Sequence, residues 1–68
     1  MQQRALRIAI IDDHEIVRSG LRHILEGDPE FEVVGEAADG PSGVAMVDAV
    51  RPDVVIVDVR LPSMQGDD

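Results

Sequence analysis

The sequence predicts an α/β fold whose small parallel sheet runs in the strand order 2-1-3. Three observations predict it. Short apolar runs rich in β-branched residues recur at Ile8-Ala9-Ile10-Ile11, around Val33-Val34, and at Val54-Val55-Ile56-Val57. A segment of helical periodicity separates each run from the next, and strands alternating with helices of about ten residues mean parallel βαβ units. Crossovers in such units are right-handed, so a central first strand with helices on opposite faces of the sheet gives that order.

Each element follows from its residues. Arg7–Ile11 reads as the first strand, apolar on both faces as in a covered parallel sheet. Asp12-Asp13-His14 breaks it. A helix over Glu15–Glu26 comes next. Ile16, Val17, Gly20, Leu21, Ile24 and Leu25 make one stripe, while Arg18, Ser19, Arg22, His23 and Glu26 fill the other face. Asp13 is the expected N-cap, and Gly27-Asp28-Pro29 ends the helix. Gly20 in mid-helix costs about 1 kcal/mol against alanine, and close packing on a neighbour is the expected reason. Phe31–Ala37 is the second strand, with Glu32 and Glu36 marking a partly wet edge. Asp39-Gly40-Pro41 turns the chain. Proline at a first helical position opens a second helix, Pro41–Val50, with Val44, Met46, Val47 and Val50 as core candidates. Arg51-Pro52-Asp53 closes it. The third strand, Val54–Val57, leads to Asp58 and the loop Val59–Gly66, and residues 1–5 read as a frayed tail.

A chain of 68 residues is at most one small domain. It buries only about 60% of the surface its unfolded form exposes, so its stability is marginal. With no cysteine there is neither a disulfide framework nor a thiolate metal site. The longest apolar run is four residues, far short of a membrane span, and no apolar targeting segment follows the N-terminus. The expectation is a soluble cytoplasmic protein with no membrane partner. Net charge is −8, with six arginines and no lysine, which opposes direct contact with nucleic acid. Phe31 is the only aromatic residue, so there is no platform for stacking bases.

The chemistry gathers where strands end. Asp12-Asp13 leave the first strand and Asp58 leaves the third. In the 2-1-3 order these strands are neighbours, and their C-terminal ends flank the switch point where open α/β sheets bind ligands. Two carboxylates about 5 Å apart at an effective dielectric of about 20 repel by about 3 kcal/mol. A divalent cation turns that repulsion into attraction, and an all-oxygen donor set favours magnesium over zinc. Phosphoryl transfer fits such a site, because positioning and charge neutralisation do most of the work. An aspartate can itself be the nucleophile and form an acyl phosphate.

The segments Ile10-Ile11-Asp12-Asp13-His14 and Asp58-Val59-Arg60-Leu61-Pro62-Ser63-Met64-Gln65-Gly66 resemble the receiver domain of two-component response regulators, a flavodoxin-like α/β fold. Asp13–Arg22 and Val33–Gly40 narrow the resemblance to the subfamily whose output is a LuxR-type helix-turn-helix domain. The likeness covers residues 7–66. It implies that Asp58 accepts a phosphoryl group from a phosphohistidine on a sensor histidine kinase. It implies Mg2+ held directly by Asp13, Asp58 and the backbone carbonyl of Arg60, with Asp12 orienting a water or the metal from behind. Pro62 and Gly66 shape the loop beside the site. Other receiver domains are further candidate partners.

Residues 1–68 are expected to be the N-terminal portion of a receiver, ending after the third strand. The family also uses a Ser or Thr after a fourth strand and a Lys after a fifth. This chain has no lysine and no threonine, and Ser19, Ser42 and Ser63 match neither motif. Asp67-Asp68 stand where an apolar residue usually opens a third helix. The expectation is retained acceptor geometry without the switch. The alternative is a non-switching fragment that acts only by pairing with other receivers through its open third strand, or not at all.

Plainer roles suit the remaining polar residues. His14 reads as a first-turn residue with its ring partly in solvent, and His23 as a solvated helix-face residue. Met46 and Met64 read as packing. Arg18 and Arg22, four apart on one face, make a small positive spot that is either solvated or docks the kinase. No catalytic residue in the enzymatic sense is expected. A phosphatase with an aspartate nucleophile shows a second aspartate two residues later, where this chain has Arg60. A cobalamin-binding domain places glycine three residues after the histidine, where this chain has Val17.

Overall fold

The computed structural model describes residues 4–58. Five elements follow one another: β1 (Leu6–Asp12), α1 (Glu15–Glu26), β2 (Phe31–Ala37), α2 (Gly40–Val50) and β3 (Val54–Asp58). The three strands are parallel in the order β2-β1-β3, as the sequence predicts. Arg60, Pro62, Ser63, Met64 and Gly66 lie outside the described residues.

The core sits on the central strand. Ile8, Ala9, Ile10 and Ile11 are all buried, joined by Ala37 of β2 and Gly43 of α2. Gly43 lets α2 approach β1 closely, since a Cβ there would stand 2.5 Å from Ile11 Cδ1. One extra residue in β2 sets its phase: Ile8 pairs with Val33 but Ala9 pairs with Gly35, so Val34 is a bulge. A bulge exchanges the two faces of everything that follows. Gly35 therefore faces Met46 of α2, and Glu36 faces Arg18 of α1, which places the helices on opposite faces of the sheet.

Burial on both faces holds for β1 but not for β3. Val54, Val55 and Val57 are exposed, because among the described residues β3 has β1 alone beside it and no helix packed over it. The same narrowness splits the stripe on α1. Leu21 and Leu25 are half-buried, but Ile16 is 83% and Ile24 71% exposed. α1 packs on β1 and β2, and a helix about 10 Å across covers two strands about 4.8 Å apart, so the rest of its stripe stays in solvent. Arg18, expected on the solvent face, turns to the sheet instead. A Cβ added at Gly20 would meet nothing within 4 Å among the described residues, so the expected close neighbour is not there. On α2, Met46, Val47 and Val50 are half-buried as expected, while Val44 is 72% exposed.

The termini of α2 are held by side chains. Asp39 is its N-cap, accepting the Ser42 N–H at 2.8 Å, and Pro41 lies in the first turn. At the other end Arg51 adopts a left-handed φ of 52° and returns its N–H to the Val47 carbonyl. Arg7, reaching from β1, donates to the carbonyls of Val50 at 2.7 Å and Arg51 at 2.6 Å. A cation there meets the negative end of the helix dipole. The Arg7 N–H also donates to Asp53 Oδ2 at 2.9 Å, so one residue ties the end of α2 and the start of β3 to the central strand. Among the described residues no helix is long and apolar enough to cross a membrane.

Candidate functional site

β1 and β3 deliver acidic residues to the same edge. Asp12 and Asp58 end their strands as direct register partners across the parallel pair. Partners in a parallel ladder share a face of the sheet, as do Ile10 and Ile56 two residues earlier. Both strands are rich in β-branched residues up to the acidic position, so the chain stays extended to the strand ends where the aspartates stand.

The three acidic residues differ in environment. Asp12 is 1% exposed. Its Oδ1 accepts the His14 N–H at 2.8 Å, and its Oδ2 is buried with no hydrogen-bond partner among the described residues. Asp13 and Asp58 are exposed. The expected N-cap role of Asp13 is overturned. His14 occupies the N-cap position with extended backbone and makes no side-chain cap bond. The carboxylate that turns the chain into α1 belongs to Asp12, which bridges two residues forward and so spares Asp13 that duty. Among the described residues the carboxylates do not converge into a group of three around one point.

A buried carboxylate oxygen without a donor is costly, and a positive charge or a bound water answers that cost. The donor set on this edge is all oxygen, which suits a hydrated hard cation. Asp12, Asp13 and Asp58 therefore fit magnesium by chemistry, with Asp12 Oδ2 the atom that most lacks a partner. The Arg60 carbonyl falls outside the described residues.

An arginine network behind the edge has no counterpart in the sequence pattern. Arg18 Nη1 donates to the Asp12 carbonyl at 2.7 Å, and its Nε donates to Glu36 Oε1 at 3.2 Å. Arg22 Nη1 donates to Glu36 Oε2 at 2.8 Å. Both guanidinium groups of the positive spot on α1 thus share one carboxylate, Arg18 half-buried and Arg22 exposed. The i, i+4 spacing of the arginines is visible in the sequence, but the side of the sheet that Glu36 faces depends on the Val34 bulge. His14 and His23 are exposed, in keeping with their plainer reading.

Comparison with known proteins bears on the same residues. The family model of the response regulator receiver domain matches residues 8–68. The chain is 49% identical over 61 residues to the DNA-binding transcriptional activator DevR/DosR of Mycobacterium tuberculosis, covering 90% of this chain and 28% of that protein. It is 46% identical over 61 residues to the transcriptional regulatory protein LiaR of Bacillus subtilis, covering 90% of this chain and 29% of that one. It is 39% identical over 66 residues to the transcriptional regulatory protein DegU of Brevibacillus brevis, covering 97% of this chain and 28% of that one. The chain spans under a third of the length of these relatives.

Proposed function

This chain belongs to the response regulator receiver domain family, and on that premise we propose that Asp58 is its phosphoacceptor. The donor is a phosphohistidine on a sensor histidine kinase. A carboxylate oxygen of Asp58 attacks phosphorus, the P–N bond breaks, the imidazole leaves with a proton, and an acyl phosphate remains. Asp13, Asp58 and the Arg60 carbonyl would hold Mg2+, with Asp12 orienting a water or the metal, and the ion would supply the charge neutralisation that phosphoryl transfer requires. The observation that carries the reading is the register pairing of Asp12 with Asp58 beside a buried, unpartnered Asp12 Oδ2.

In this reading the chain is a substrate and signal carrier rather than an enzyme, and it works in the cytoplasm. Its net charge of −8 suits a partner other than DNA. The test is incubation with acetyl phosphate and magnesium, read by intact mass and by hydroxylamine sensitivity. The expected result is one phosphoryl group on Asp58, lost in D58N and in the presence of EDTA. A folded far-UV spectrum with no acyl phosphate on Asp58 would overturn it.

One observation favours a second reading. The exposed edge of β3, with Val54, Val55 and Val57 in solvent, suits pairing with another receiver domain or a second copy of this chain.

A further inference from the structure

We propose that Arg18 is a positioning residue for the acidic edge, setting the direction of Asp13 through the carbonyl of Asp12. The inference rests on the reading of Asp12, Asp13 and Asp58 as a magnesium site.

The geometry is a three-way tie. Arg18 stands on α1, its Nη1 meets the last carbonyl of β1, and its Nε meets Glu36 of β2. Its side chain is 19% exposed and that of Glu36 is 26% exposed, so both contacts are partly screened from water. The Asp12 carbonyl belongs to the peptide unit that joins Asp12 to Asp13. That unit is planar, so holding its oxygen fixes the plane from which the Asp13 side chain departs. Asp13 has no side-chain hydrogen bond of its own among the described residues to do this, because the turn into α1 is made by Asp12 Oδ1.

Two further features point the same way. The Val34 bulge puts Glu36 on the α1 face; without it Glu36 would face α2, and Arg18 would lose its anchor. The second oxygen of Glu36 is taken by Arg22, which fixes the carboxylate from the other side. A planar guanidinium can donate to the carbonyl and to Glu36 at once, and a lysine ammonium on a flexible stem cannot hold both in the same geometry.

The experiment uses the 68-residue chain and the variants R18A, R18K and R22A. Magnesium affinity is read by calorimetry and by amide NMR shifts of Asp13 and Asp58. Far-UV spectra and unfolding midpoints are recorded in parallel. R18A is expected to weaken magnesium binding by about tenfold or more, as loss of a group orienting a ligand does. R18K should fall between R18A and the parent. R22A removes the other α1 contact to Glu36 and leaves the Arg18 contacts to Glu36 and to the Asp12 carbonyl in place, so it should weaken binding much less than R18A does; such a helix-surface pair is worth little by itself. Equal weakening by R22A and R18A overturns the proposal, because Arg18 would then act only by docking α1. Unchanged affinity in a folded R18A overturns it too. If R18A does not fold, R18K with parental affinity has the same force. A parent chain that binds no magnesium overturns the metal reading itself, and is told apart by failing before any variant is compared.

Discussion

Glycines 20 and 43 occupy helix interiors for opposite physical reasons. At Gly43 a Cβ would come within 2.5 Å of Ile11 Cδ1, 3.0 Å of Cγ1 and 3.3 Å of Cγ2, so the Ile11 side chain or the helix has to shift to admit it. At Gly20 the space is open. Alanine improves helix propensity at either site by about 1 kcal/mol. G20A is therefore expected to raise stability by up to about 1 kcal/mol. G43A should lower it by about 1–3 kcal/mol, the usual range for overpacking a filled core. Urea unfolding midpoints check both, and a G43A chain as stable as the parent would refute the close approach of α2 to β1. The pattern of glycines in the sequence distinguishes neither case. Only the phase of α2 against Ile11 does.

Helix α2 illustrates how an element takes its limits from its ends. The Ser42 backbone N–H, followed by its hydroxyl, holds the Asp39 carboxylate below the ordinary aspartate range. A carboxylate whose folded pKa is depressed adds stability above its unfolded pKa and loses it as pH falls through the folded value. The contribution is thus complete above about pH 4 and fades below it. D39N keeps a capping oxygen but does not titrate. As pH falls below about 4, the parent should lose stability relative to D39N, and parallel curves for the two chains would refute the role. The sequence shows the turn Asp39-Gly40-Pro41 and the helix that proline opens, while the capping bond of Asp39 is seen only in the structure. The clamp of Arg7 on the carbonyls of Val50 and Arg51 is not legible in the sequence, because it joins residues more than forty positions apart. On α1 the expected stripe is correct in composition, but the sheet covers only its Leu21 and Leu25 side, leaving Ile16 and Ile24 in solvent.

At the scale of the molecule, a sheet of three strands leaves one apolar strand with a single neighbour among the described residues. β3 presents backbone donors and acceptors on that side, together with Val55 and Val57, which is a template for another chain. The net charge of −8 opposes self-association, and salt screens that repulsion. The chain is therefore expected to self-associate in a concentration-dependent way that strengthens with salt. V57K, placing a charge on the open edge, should shift it towards monomer. Sedimentation velocity reads both, and a parent chain monomeric at every concentration and salt tested would refute edge pairing.

The sequence by itself determined the order of elements, the parallel sheet, the central place of β1 and the acidic residues at the strand ends. These depend on local period and on runs of like residues, which a linear chain displays directly. The tertiary structure alone decided that Asp12, and not Asp13, turns the chain into α1, that Arg18 faces the sheet, and that most of the α1 stripe and most of β3 lie in solvent. The first is a choice between two adjacent carboxylates within one turn; the others turn on one bulged residue at Val34 and on which strands each helix covers. Both are relations between segments distant in sequence, and a side chain's partner across a sheet has no signature in its own neighbourhood.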